Sequence, residues 1–268
     1  MKRSSALFAA CALCATVARA TEEVPFITTP DEVTVTMLRM AAVTPRDFVI
    51  DLGSGDGRIV ITAARRYGAR GLGVEIVPDL VEKSRENAKR AGVADRALFR
   101  EQDLFKTDLT AASVITMYLL PEVNLQLRPA LLALRPGTRI VSHDWDMGDW
   151  KPDRTETIDV PDKPIGLEKK SRVHLWTVPA KVDGLWCGPK SKRGELAIRQ
   201  SFQNAAARLG EVEFPLVIAA TRLKSTEGKD RIALELADGR LRVIAAAGRL
   251  APWNGARFSR AKGGACPA

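Results

Sequence analysis

Three short segments carry side chains whose types and spacing suit one chemistry. The first is Asp51-Leu52-Gly53-Ser54-Gly55-Asp56-Gly57, a glycine-rich loop that begins with an acid. Glycines let a ligand approach the backbone closely, and a helix starting after such a loop aims its N–H groups at that ligand. The second is Glu75, with Ile76 beside it, and the third is Asp103, with Leu104; both acids close apolar runs. A dinucleotide loop reads G-x-G-x-x-G/A, and its third small residue packs helix against strand. Counting from Gly53, that place holds Arg58. An acid at 51 also repels a pyrophosphate but suits an ammonium group. A carboxylate at 75 is positioned to accept hydrogen bonds from both ribose hydroxyls, and one at 103 to accept one from an adenine amino group. Together they ask for an adenosine with positive charge and no phosphate, which is S-adenosylmethionine.

These acids need elements that bring them to one crevice. Residues 47–52 form a short apolar run ended by glycines, as expected of a strand buried on both faces. Helix-spaced apolar residues follow over 57–67, a strand over 70–75 and a helix over 78–91, with Pro78 in its first turn and Gly92 as its stop. Further strands are expected over 97–103, 113–119 and 138–145, with a helix over 125–134. Residues 154–160 and 172–178 read as a closing antiparallel pair. The fold class is therefore α/β: a Rossmann-like, doubly wound, seven-stranded and mostly parallel sheet with an antiparallel closing strand. Ligands bind such sheets at the carboxyl ends of the strands, where the strand order reverses.

DLGSGDGRI, the strand end at Glu75 and the Asp103-Leu104 strand end resemble the nucleotide-binding motifs of class I methyltransferases over about residues 25–178. VPFITTP before the sheet and DLGSGDGRIVITAA resemble one branch of that class. It includes mitochondrial enzymes that methylate lysines of the ADP/ATP carrier and the ATP synthase c-subunit. The resemblance implies S-adenosyl-L-methionine as cofactor, with Asp51, Gly53, Ser54, Gly55, Glu75, Ile76, Asp103 and Leu104 around it. It also implies a methyl acceptor that is an amine, a lysine of a protein not identified by the sequence. No pattern asks for a metal.

The acceptor is expected beside Tyr118-Leu119-Leu120-Pro121-Glu122-Val123-Asn124, at the end of the fourth strand. Methyl transfer from a sulfonium needs alignment and exclusion of water more than a strong acid. Tyr118 and His143 are the candidate catalytic residues. The imidazole is read either as a base or as a hydrogen-bonded support for the loop after it. Asp144, Trp145 and Trp150 are read as pocket wall or as packing, and His174 receives no role. Phe26 and Thr29 are read as folding over the cofactor or as a staple for the helix near Pro30. The Asn/Asp-Pro-Pro-Tyr/Phe signature of amino-methylating nucleic-acid enzymes is replaced by Leu119-Leu120-Pro121. Nucleic acid is thereby disfavoured as acceptor. The alternatives kept open are a small-molecule or RNA acceptor, and an exported binding protein that retains the cleft without catalysis. A nicotinamide-dependent dehydrogenase is disfavoured by Asp51 and Arg58.

Composition frames the domains. The chain has 268 residues, 46% hydrophobic and 27% charged, which excludes collagen-like, coiled-coil and charge-rich disordered classes. No apolar run reaches the 18 or so residues of a membrane-spanning helix. Residues 1–20, with Lys2-Arg3, an apolar stretch and Ala18-Arg19-Ala20, have the pattern of a signal peptide cleaved after Ala20. The expected product is exported, periplasmic or secreted, with a methyltransferase domain over 21–180.

Residues 181–268 hold 16 Lys/Arg against 8 Asp/Glu and four period-two runs, near 195–203, 214–221, 231–236 and 241–246. Asp238-Gly239 marks a hairpin between the last two. The expectation is a small basic antiparallel β module, compatible with an anionic partner and equally with a solvated face that has none. After cleavage only Cys187 and Cys266 remain, either paired in an oxidising compartment or free.

Overall fold

Strands of four to six residues, apolar on both sides, are stable only between two layers of helix. The computed structural model describes residues 27–163, 168–189 and 194–266. The expected signal peptide and Phe26 lie outside these described residues. Five parallel strands, β1 (Phe48–Leu52), β2 (Arg70–Glu75), β3 (Ala97–Glu101), β4 (Val114–Met117) and β5 (Arg139–His143), are joined by β6 (Arg154–Asp159) and β7 (Lys170–Thr177). Their order is β3-β2-β1-β4-β5-β7-β6, with β7 antiparallel to both β5 and β6. The order reverses between β1 and β4, so the crevice opens above those two strands.

Alternation along each strand sends side chains to opposite faces. Val49, Val114 and Val141 pack with α1 (Asp31–Met40) and α2 (Arg58–Tyr67). Ile50, Ile115 and Ile140 pack on the other face, with Leu127 and Leu131 of α4 (Pro121–Leu132). Phe99 and Ala97 of β3 pack with Val81 and Ala88 of α3 (Pro78–Arg90). The helix expected over 125–134 starts one turn earlier. Pro121 takes its first position, where a fixed φ and a missing N–H cost nothing.

The basic module is a closed antiparallel barrel. Its strands are β8 (Gly184–Cys187), β9 (Glu195–Ser201), β10 (Asn204–Leu209), β11 (Val212–Ala219), β12 (Arg222–Ser225), β13 (Ile232–Ala237), β14 (Arg240–Ala246) and β15 (Arg257–Arg260). Sequence periodicity finds four of these eight. The others are short or alanine-rich, and closure of the barrel rather than β-propensity holds them. At the expected hairpin Asp238 and Gly239 have φ of 51° and 70°, as a two-residue turn with both centres left-handed requires. Cys187 and Cys266 are disulfide-bonded, with Cα atoms 5.4 Å apart. The bridge ties β8 to the segment beyond β15.

Barrel and sheet meet at Trp150, which is fully buried rather than part of a pocket wall. Trp176 donates its indole N–H to the Trp150 carbonyl at 2.8 Å. Phe202, at the tip of the β9–β10 hairpin, stacks on Trp150 with centroids 6.1 Å apart and planes 14° apart. The Arg128 guanidinium covers Phe202 at 5.9 Å. Gln203 donates to the Lys151 carbonyl at 2.7 Å.

Candidate active site

Asp51 stands one residue before the end of β1, between Gly73 of β2 and Thr116 of β4. The Thr116 hydroxyl donates to its Oδ1 at 2.7 Å. Asp51 is only 2% exposed. Burial pushes its carboxyl up to about 8, against the pull of Thr116 and with help from the charges of Glu75 and Asp56. The loop after it turns on Gly53, Gly55 and Gly57, at φ of 72°, 53° and 81°. A Cβ on Gly57 would lie 2.6 Å from the Phe99 ring, so that turn admits no side chain. The Ser54 hydroxyl is buried and has no hydrogen-bond partner among the described residues.

Glu75 is the last residue of β2 and is wired into the loop. Its Oε2 accepts from Gly55 N at 3.0 Å, and its Oε1 from Ile76 N at 2.8 Å and Val77 N at 3.1 Å. Asp103 falls two residues beyond β3, where its Oδ1 accepts from Phe105 N at 2.9 Å and caps a 3-10 turn over Leu104–Lys106. Leu104 is partly buried against the core, whereas Ile76 is 67% and Phe105 51% exposed. Glu75 and Asp103 are thus each followed closely by an exposed apolar side chain, Ile76 and Phe105. Arg58 grips Asp56 through Nε at 3.0 Å and Nη2 at 2.7 Å. Burial alone would raise the Asp56 carboxyl, but this guanidinium holds it below the usual carboxylate range. Arg58 Nη1 also donates to the Thr29 carbonyl at 2.8 Å. The residue that spoils a dinucleotide loop therefore fastens the segment preceding α1 to the crevice.

The mouth lies at the ends of β4 and β5. A Cβ on Gly53 would come within 3.0 Å of Leu119 Cδ2, so the tail of β4 rests on the glycine loop. Burial, reinforced by the nearby Asp144 carboxylate, raises the phenol of Tyr118, the residue before Leu119. The rings of Tyr118 and His143 are 3.9 Å apart. His143 is buried, with Nδ1 3.2 Å from Thr29 Oγ1 and Nε2 2.9 Å from Ser171 Oγ. Burial pulls its pKa down to about 4, only partly opposed by Asp144. A neutral ring with both nitrogens engaged holds its neighbours in place and is closed to an acceptor. His174 also reaches this loop, with Nε2 3.3 Å from the Asp144 carbonyl. Trp145 (45%) and Leu120 (47%) are exposed at the lip. Asn124 braces Trp145 by donating to its carbonyl at 3.2 Å.

The donor set fits S-adenosylmethionine on features the structure itself displays. A buried Ser54 hydroxyl without a partner among the described residues, a glycine cradle too tight for Cβ atoms and acids at the ends of three adjacent strands suit a cationic nucleoside better than a diphosphate. Among the described residues no His/Cys/Asp/Glu group is arranged for a metal. Fold and crevice together define a class I S-adenosylmethionine-dependent methyltransferase.

Comparison with known proteins narrows the class. Residues 51–154 match the family described as the ANTKMT methyltransferase domain. The chain is 42% identical over 131 residues to a protein-lysine N-methyltransferase of Saccharolobus islandicus, covering 48% of this chain and 81% of that protein. It is 40% identical to the ATP synthase c-subunit lysine N-methyltransferase of mouse over 108 residues, 40% of this chain and 43% of that one. It thus spans less than half the length of the mouse relative. Among solved structures, an RNA methyltransferase from Salinibacter ruber in complex with S-adenosyl-L-homocysteine is 54% identical, with a TM-score of 0.52. The match covers 58% of this chain and 96% of that one. The chain belongs to this methyltransferase family, and S-adenosylmethionine is its cofactor.

Sequence reasoning passed over Phe105 and Lys163. Phe105 carried a signal, since it is a large apolar residue next to a strand-end motif. Lys163 carried none, because only the pairing of β6 with β7 brings it to the mouth.

Proposed function

We propose that this enzyme methylates a lysine side chain of a protein. The likeness to the protein-lysine N-methyltransferase of Saccharolobus islandicus, extending over 81% of that protein, carries the reading. On this reading Glu75 accepts from the ribose hydroxyls and Asp103 from the adenine amino group. Ile76 and Leu104 flank the base, while Asp51, Gly53, Ser54 and Gly55 line the methionine end. Bound there, the cofactor supplies an electrophilic methyl group on a sulfonium. Tyr118 orients the acceptor amine, Trp145 and Leu120 keep water from it, and His143 is a positioning residue that acts through the Tyr118 ring.

An RNA acceptor is the second reading. It is favoured by the description of the Salinibacter ruber structure and by the basic barrel. Labelled S-adenosylmethionine, offered with protein and RNA fractions of the source cell, separates the two. Protease-sensitive label recovered as methyl-lysine supports the first, and ribonuclease-sensitive label overturns it.

Export is part of the proposal, supported by the leader pattern over 1–20 and by the disulfide. Protein recovered from the exported fraction with Thr21 at its N-terminus is the expected result. Intact Met1 in the cytoplasmic fraction refutes it. In such a compartment the basic barrel faces anionic surfaces, its stated candidate partners.

A further inference from the structure

The tail of β5 carries a carboxylate held by several groups at once. Asp144, at φ 63°, turns back across the mouth. Its Oδ1 accepts from Arg172 N at 2.9 Å, and its own N–H donates to the Arg172 carbonyl at 2.6 Å. His143 Nε2 lies 3.5 Å from Asp144 Oδ2. These contacts fix the carboxylate without help from a cation. Yet Oδ2 holds one: Lys163 Nζ lies 2.7 Å away and also donates to the Lys170 carbonyl at 2.6 Å. The Lys163 side chain is only 12% exposed. It belongs to the β6–β7 connection, which the antiparallel pairing of β7 with β5 brings to the carboxyl end of the sheet. An internal lysine ammonium thus sits on a fixed carboxylate beside Tyr118, whose neighbour Leu119 rests on the glycine loop.

The geometry points to Asp144 as the anchor for the acceptor ammonium, with Lys163 as the chain's own occupant of that anchor, methylated there when no external acceptor displaces it. The inference rests on the lysine-methylating reading above, and it names the residue that recognises the substrate amine. Lys163 Nζ gives its proton to Asp144 Oδ2, to which it is already hydrogen-bonded. Its lone pair then forms the N–C bond to the methyl carbon as the carbon–sulfur bond breaks. S-adenosylhomocysteine leaves, and the proton on Asp144 passes to water. A lysine of another protein takes the same place by exchanging one ammonium for another on the same carboxylate.

Two readouts test this on the full chain. First, the protein is incubated with S-adenosylmethionine alone, and each lysine peptide is weighed. A gain of methyl mass on Lys163 is expected, at a rate per molecule independent of protein concentration. Asp144→Asn keeps the Oδ1 acceptor and suits the left-handed backbone. It should cut that rate at least tenfold while S-adenosylhomocysteine still binds. The second readout needs no cofactor. Saturation-transfer NMR with Nα-acetyl-lysine amide should detect binding to Lys163→Met, and none to the same protein carrying Asp144→Asn as well. Unmodified Lys163 in protein that binds S-adenosylhomocysteine overturns the inference and leaves the methyltransferase reading intact. Equal probe binding with and without Asp144 also overturns it. Protein that does not bind S-adenosylhomocysteine overturns both.

Discussion

Replacing Glu75 with alanine tests the crevice most sharply, because this carboxylate has two tasks. In the structure it accepts from Gly55 N, Ile76 N and Val77 N, so it shapes the glycine loop, and on the proposed reading it also holds the ribose. Hydrogen bonds to a charged group contribute about 1.5–3 kcal/mol each. Two ribose hydroxyls lose such a partner, but the site is partly open and water recovers some of the loss. The net cost to cofactor affinity is about 2–4 kcal/mol, roughly 30- to 1000-fold in Kd. Glu75→Gln keeps one carbonyl acceptor and should lose about tenfold. Titration calorimetry with S-adenosylhomocysteine reads both, with circular dichroism as the check on folding. Hydrogen exchange at Gly55 separates the two tasks, since its N–H loses its acceptor in the alanine variant and can keep it in the glutamine one. A folded Glu75→Ala protein that binds within about threefold of the parent would refute the reasoning, as this is well under 1 kcal/mol.

The raised carboxyl of Asp51 links stability to pH. The unfolded chain ionises this group from about its ordinary 3.8, while the folded chain keeps it protonated up to about 8. The folded state therefore holds the extra proton between those values, and this group makes stability fall as pH rises through that window. Asp51→Asn should accordingly melt higher than the parent at pH 8, with the gap closing near pH 4, and should bind S-adenosylmethionine more weakly. A lower midpoint at pH 8 would contradict this. Reducing the Cys187–Cys266 bridge releases a loop with a sequence separation of 79, at an entropic cost of about 4.5 kcal/mol. Reductant or a Cys187→Ser variant should lower the barrel's melting temperature, and an unchanged melt refutes the estimate. Phe202→Ala removes the ring between Trp150 and Arg128 at a cost of about 3 kcal/mol. Hydrogen exchange should then quicken over residues 144–153, and no change there would mean that the barrel does not brace the mouth.

Much of the sheet was legible because most of its strands have a glycine or proline punctuating at least one end. Asp51, Glu75 and Asp103 could be placed in one crevice before any coordinates, since parallel strands joined by right-handed crossovers present their carboxyl ends together. The barrel was legible only where large β-branched or aliphatic residues alternate. Asn204–Leu209 is mostly alanine, and its burial depends on neighbours far along the chain. The same limit applied to the mouth. From sequence His143 could be a base or, the favoured reading, a support; Thr29 and Ser171, 114 and 28 residues away, engage both its nitrogens. Trp150 read as pocket wall or as packing, and nothing local announces Phe202 as the partner it packs on. Local pattern fixes what a residue presents, and long-range pairing decides to whom.

The central claim, on the proposed reading, is that the acidic side chains of Asp51, Glu75 and Asp103 cradle S-adenosylmethionine. A crystal structure of the protein with S-adenosylhomocysteine is its most direct test. Both ribose hydroxyls are expected on Glu75, the adenine amino group on Asp103 and the amino-acid end along Gly53–Gly55. An adenosine lying elsewhere, or one that leaves Glu75 and Asp103 untouched, would contradict the claim.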